Sequence, residues 1–149
     1  MPSNPHSERY VLKTGEEAAG RLRLLQTVTG PPTAAFLKEA GLGPGMVVAD
    51  IGCGIGTVTA HIAREVAPSG QVTGVDASEA QLAVARRYLD SEGLSDVRTV
   101  AASAYDTGLP RGAFNLVYCR LPLTATAAGS LAQNAFTAPA RRRSGVRRP

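Results

Sequence analysis

One segment constrains this chain more than any other: Val48-Ala49-Asp50-Ile51-Gly52-Cys53-Gly54-Ile55-Gly56-Thr57. A short apolar run ends in an acid. Three glycines then alternate with single residues, and a helical pattern follows. The order suits a buried strand that turns sharply into a helix. Glycines let the backbone bend and approach a ligand closely, because no Cβ intervenes. A loop of this kind leaves the carboxyl end of a strand, where ligands of open α/β sheets bind. The helix starting near Thr57 directs free N–H groups and its positive dipole end at that place, which favours a carboxylate or a phosphate. Asp76 closes the next apolar run, 71–76. A carboxylate there is placed to accept hydrogen bonds from both hydroxyls of a ribose.

The rest of the chain continues the alternation. The sequence predicts strands at 46–50, 71–76, 97–101 and 114–119. Helices are expected at 57–67, ended by Pro68 and Gly70, and from a Ser78 cap to about Ser91, ended by Gly93. Leu82, Ala85, Tyr88 and Leu89 mark the buried side of the second of these. Strand, helix, strand, helix, strand is the pattern of a parallel sheet with right-handed crossovers. Upstream, residues 16–28 have helical periodicity, with Thr14 and Glu17 as a capping box. Gly30-Pro31-Pro32 is expected to end that helix, and a short one over 33–40 is expected to bury Phe36 and Leu37.

Charge divides the chain unevenly. The formal net charge is +4. Residues 1–120 carry 11 Lys/Arg against 12 Asp/Glu, whereas 121–149 carry 5 Arg and no acid. The basic balance therefore belongs to the tail and says little about partners of the body. No aromatic residues interleave with the tail arginines, so a solvated tail is favoured over a nucleic-acid arm. Residues 121–149 show no strand pattern and are expected to be disordered. No apolar stretch reaches the roughly 18–20 residues of a membrane span. The polar start of the chain lacks a signal core and reads as cytoplasmic. Cys53 and Cys119 form neither a disulfide framework nor, with His6 and His61, a metal pattern. Cys53 reads as a small loop residue rather than a nucleophile, since no His partner is visible. His61 reads as a packing or surface residue.

The glycine spacing separates nucleotide-binding families. Dinucleotide dehydrogenases prefer G-x-G-x-x-G, whereas Gly52, Gly54 and Gly56 make G-x-G-x-G, with Asp50 two residues ahead. This D-x-G-x-G-x-G form resembles motif I of class I S-adenosylmethionine-dependent methyltransferases. The resemblance covers roughly residues 8–121. It implies an α/β fold, a Rossmann-like three-layer parallel sheet of strand order 3-2-1-4-5-7-6. The first four strands are identifiable here, with a helical leader (1–41), a cofactor-binding domain (42–120) and a disordered tail (121–149). It implies S-adenosyl-L-methionine as cofactor. Asp50 and the backbone of Gly52, Cys53, Gly54 and Gly56 would hold the methionine end, and Asp76 the ribose. Ala77 would lie against the adenine. The segment VAASAYDTGLP (100–110) is similar to the third-strand segment that contacts adenine, and Ser103 and Ala104 match there. Ser103 stands where the family commonly has Asp, and Asn115 replaces the usual Asp of the fourth strand.

The expected function is methyl transfer to an acceptor, most simply a small molecule. No residue is singled out as catalytic. Two alternatives remain beside it: a cofactor-binding or inactive fragment without turnover, and an NAD(P)-dependent oxidoreductase. The change of texture after Arg120 is what a frameshift or truncation would produce, and a truncated enzyme is the corresponding expectation.

Overall fold

The computed structural model describes residues 16–120. The elements are α1 (Glu16–Glu39), β1 (Val47–Ile51), α2 (Thr57–Val66), β2 (Gln71–Asp76), α3 (Glu79–Ser91), β3 (Arg98–Ala101) and β4 (Leu116–Cys119). All three strand pairings are parallel, in the order β3-β2-β1-β4. Chain direction reverses about β1: the chain moves outward through β2 and β3, then returns to the other side for β4. The carboxyl ends of β1 and β2 therefore flank the point where ligands of such sheets bind.

The two faces of the sheet are filled differently. Alternate residues of β1 point to opposite faces. Val48 joins Leu37 of α1, Val58, Ile62, Ala63 and Val66 of α2, Val72 and Tyr118 in one buried cluster. Ala49 and Ile51 join Val75 on the other face. Val100, Ala102, Ala104, Leu109, Phe114 and Val117 pack against that second cluster. Most of them belong to the irregular connection between β3 and β4, so this segment is pinned to the sheet by its own apolar side chains. Arg86 of α3 donates to the Thr99 hydroxyl at 2.7 Å and ties helix to strand at the β3 edge.

Two expectations need correction. The Gly30-Pro31-Pro32 stop does not end the first helix: α1 runs through it to Glu39. Proline's fixed φ is itself a helical value, and Gly30 before it has no Cβ to clash with the ring. The prolines remove two N–H donors and crowd the preceding turn, and the helix continues despite both. Phe36 is not buried either. It is 59% exposed, while Leu37 is fully buried. Phe36 instead lies tilted near the Tyr118 ring, with centroids 6.5 Å apart. The fourth strand starts at Leu116 because Asn115 acts as its clamp. The Asn115 N–H donates to the Val47 carbonyl at 2.8 Å, and its side-chain oxygen accepts from the Val47 N–H at 2.7 Å. Thr14 and the tail 121–149 lie outside the described residues.

Candidate functional site

The glycine loop leaves β1 at Ile51 and crosses the end of β2. The N–H groups of Gly52 and Cys53 both donate to the Val75 carbonyl, at 2.7 and 2.9 Å. Gly52, Gly54 and Gly56 all have positive φ, at 76°, 56° and 83°. That region is open to glycine and costly for residues with a Cβ. Gly56 has a second constraint. A Cβ there would stand 3.2 Å from the Ala85 Cβ, so its bareness also lets α3 close on the loop. Ile55 packs on Val84 of the same helix.

Gly56 caps α2 without a side-chain hydrogen bond, and the first turn holds no acid. The first intrahelical bond runs from Ala60 N to the Gly56 carbonyl. The amides of Thr57, Val58 and Thr59 therefore precede the helical ladder. Neither the cap nor the first turn supplies a side chain that offsets the partial positive charge of this helix end, which suits a ligand carboxylate.

Asp76 joins the two halves of the site. One carboxylate oxygen accepts from the Gly54 N–H at 2.9 Å, and the other accepts from the Ser78 N–H at 2.9 Å. Each oxygen keeps a further lone pair. Ser78 in turn caps α3 by accepting from the Gln81 N–H. The carboxylate thus locks the loop against the start of α3 and retains acceptor capacity for a diol.

Asp50 is 2% exposed, beneath the loop. It accepts from the Thr59 hydroxyl at 2.7 Å. Burial pushes its carboxyl up to about 6, against the Thr59 hydrogen bond and the Arg120 charge, which favour ionisation, while Asp76 adds to the rise. Burial, with Asp50 and Asp76 nearby, pushes the Cys53 thiol far above its ordinary range. A thiol so held is no nucleophile at neutral pH, in keeping with its reading as a small loop residue.

The remaining candidates collect at the same end of the sheet. Ala101 pairs with Asp76 in register, and the Ala102 N–H donates to the Asp76 carbonyl at 3.0 Å. Ser103 and Ala104 follow directly. Ser103 is exposed and Ala104 half-buried, and Ala77 is exposed beside Asp76. Asp50, Gly52, Cys53, Gly54, Gly56, Asp76, Ala77, Ser103 and Ala104 therefore form one neighbourhood. Two participants were not singled out from the sequence: Thr59 and Gln81. Thr59 and Gln81 share a signal, a polar residue on the buried face of its helix. Among the described residues there is no cluster of His, Cys, Asp or Glu able to hold a metal, and no helix long and apolar enough to cross a membrane.

Comparison with known proteins agrees with this fold. Residues 48–139 match the family described as "Methyltransferase domain". The chain belongs to this methyltransferase-domain family, with the Rossmann-like α/β fold that its strand order shows. The match extends beyond Arg120, further than the motif resemblance reached. A demethylmenaquinone methyltransferase of Symbiobacterium thermophilum is 30% identical over 120 residues, covering 76% of this chain and 48% of that protein. The chain thus spans about half the length of this curated relative. The crystal structure of an S-adenosylmethionine-dependent methyltransferase from Aquifex aeolicus superposes with a TM-score of 0.54 at 27% identity, over 57% of this chain and 45% of that one. Geranyl diphosphate C-methyltransferase from Streptomyces coelicolor A3(2), solved with S-adenosyl-L-homocysteine, gives 0.53 at 25% identity, over 60% and 32%.

Proposed function

We propose that residues 42–120 bind S-adenosyl-L-methionine and that the protein transfers its methyl group to a small-molecule acceptor. The observation that carries this reading is the Asp76 carboxylate, hydrogen-bonded to both Gly54 and Ser78 at one end of the sheet. It sets an acid with spare acceptor capacity beside a glycine loop and an uncapped helix end. The uncapped start of α2 receives the methionine carboxylate. Asp50 attracts the methionine ammonium by its charge from beneath the loop, and Asp76 accepts hydrogen bonds from the ribose hydroxyls. Ala77, Ser103 and Ala104 border the adenine.

When bound, the cofactor would supply an electrophilic methyl on a sulfonium sulfur, with S-adenosylhomocysteine as the leaving group. The chain's contribution is to fix the donor and exclude water around it, which lowers the barrier mainly through positioning. The small-molecule acceptor is supported by the relative from Symbiobacterium, whose name specifies a demethylmenaquinone.

Calorimetric titration of the full chain with S-adenosylhomocysteine and, separately, with NAD+ tests the reading. Saturable binding of the first and none of the second is expected. Binding of NAD+ alone would transfer the site to the oxidoreductases.

A further inference from the structure

Gln81 carries an unanswered polar atom at the edge of this site. The residue is 3% exposed, and its side-chain oxygen has no hydrogen-bond partner among the described residues. A buried acceptor without a partner costs stability, and native proteins rarely keep one without a use. Its position suggests the use. Gln81 lies in the first turn of α3, directly after the Asp76–Ser78 link. Ala85, one turn further on the same face, closes on Gly56. Helical side chains lean toward the N-terminus of their helix, so Gln81 leans from the Ala85 contact toward the end where Asp76 sits.

The opposite border of the site has lost its usual acceptor. Ser103 stands in place of the common Asp. Its hydroxyl accepts from the Tyr105 N–H at 3.2 Å, and its carbonyl accepts from the Asp106 N–H at 3.1 Å. One lone pair of the Ser103 hydroxyl is thus occupied in its own turn, and Ser103 lacks the carboxylate of the common Asp. An adenine bound beside Asp76 presents an exocyclic amine, a donor that needs an acceptor.

We propose that the Gln81 side-chain oxygen is that acceptor, making Gln81 an adenine-reading residue on α3. This rests on the cofactor reading above. One hydrogen bond of this kind corresponds to roughly tenfold in affinity. The test is a thermodynamic cycle on the full chain by calorimetry. The two ligands are S-adenosylhomocysteine and its analogue lacking the exocyclic amine; the two proteins are wild type and Gln81→Leu. Wild type should bind the deaminated analogue about tenfold more weakly. Gln81→Leu should lose about tenfold for S-adenosylhomocysteine and nothing for the analogue. The same variant should melt no lower than wild type without ligand, because it deletes an unsatisfied buried atom.

Equal wild-type affinity for the two ligands would overturn the proposal, and that comparison needs no variant. A Gln81→Leu loss of equal size for both ligands would also overturn it. A wild-type chain that binds neither ligand overturns the cofactor reading itself, and this inference with it.

Discussion

Asp50 shows how a single buried acid sets opposing demands on stability and binding. Its carboxyl titrates near 6 rather than at the ordinary 3.8, chiefly because it is buried. The neutral form suits the fold and the charged form strains it. The stabilising contribution is complete below pH 3.8 and is lost as pH rises through 6. Asp50→Asn, permanently neutral, should therefore melt higher than wild type at pH 7.5. The gap should reach up to about 3 kcal/mol and close below pH 4; chemical denaturation across that range measures it. The same variant should bind S-adenosylhomocysteine more weakly at pH 7.5, since it lacks the charge that attracts an ammonium. Gly56 makes the complementary point about backbone. Gly56→Ala places a Cβ at positive φ and 3.2 Å from Ala85. A loss of about 1–3 kcal/mol is expected in urea unfolding. At this scale the sequence was legible where chemistry depends on backbone: the glycines and Asp76 are recognisable from type and spacing. Thr59 and Gln81 were not. Their roles arise from burial, and burial of one polar residue on a helix face is decided by its neighbours in space.

Among the elements, α2, β2 and α3 match their signals closely because strong punctuation bounds them: Gly56 before α2, Gly70 before β2, and the Ser78 cap before α3. α1 departs because Gly-Pro-Pro weakens a helix, through lost donors and steric crowding, without forbidding it. Packing of its last turn on α2 favours continuation. Leu37 and Phe36 measure that packing directly. Leu37 is fully buried in the α1–α2–sheet cluster, whereas Phe36 is largely exposed. Leu37→Ala should cost about 2–5 kcal/mol. Phe36→Ala should cost no more than about 1 kcal/mol, the scale of its tilted contact with Tyr118. Equal losses for these neighbours in thermal unfolding would mean that the helix rotates differently on the sheet. Asn115 explains why the start of β4 is set by a side chain: its clamp on Val47 replaces the next ladder step.

Across the whole molecule, alternation of strand and helix foretold a parallel sheet, and the motif resemblance foretold its order, β3-β2-β1-β4. What alternation leaves open is how the second face is covered; here the irregular β3–β4 connection supplies the apolar cover. The family match reaches residue 139, so the change of composition after Arg120 did not mark the limit of the likeness. The central claim is that one end of this sheet, from the glycine loop to Asp76 and the turn after β3, is a single nucleoside site. The most direct measurement is a titration of the isotope-labelled chain with S-adenosylhomocysteine, followed by backbone amide NMR. Saturable shifts should concentrate at Gly54, Thr57, Val58, Ser78, Gln81 and Ala102 to Ala104, with Met46, Ser69 and Asp96 at the opposite end unmoved. Shifts confined to that opposite end, or none at saturating ligand, would contradict the account.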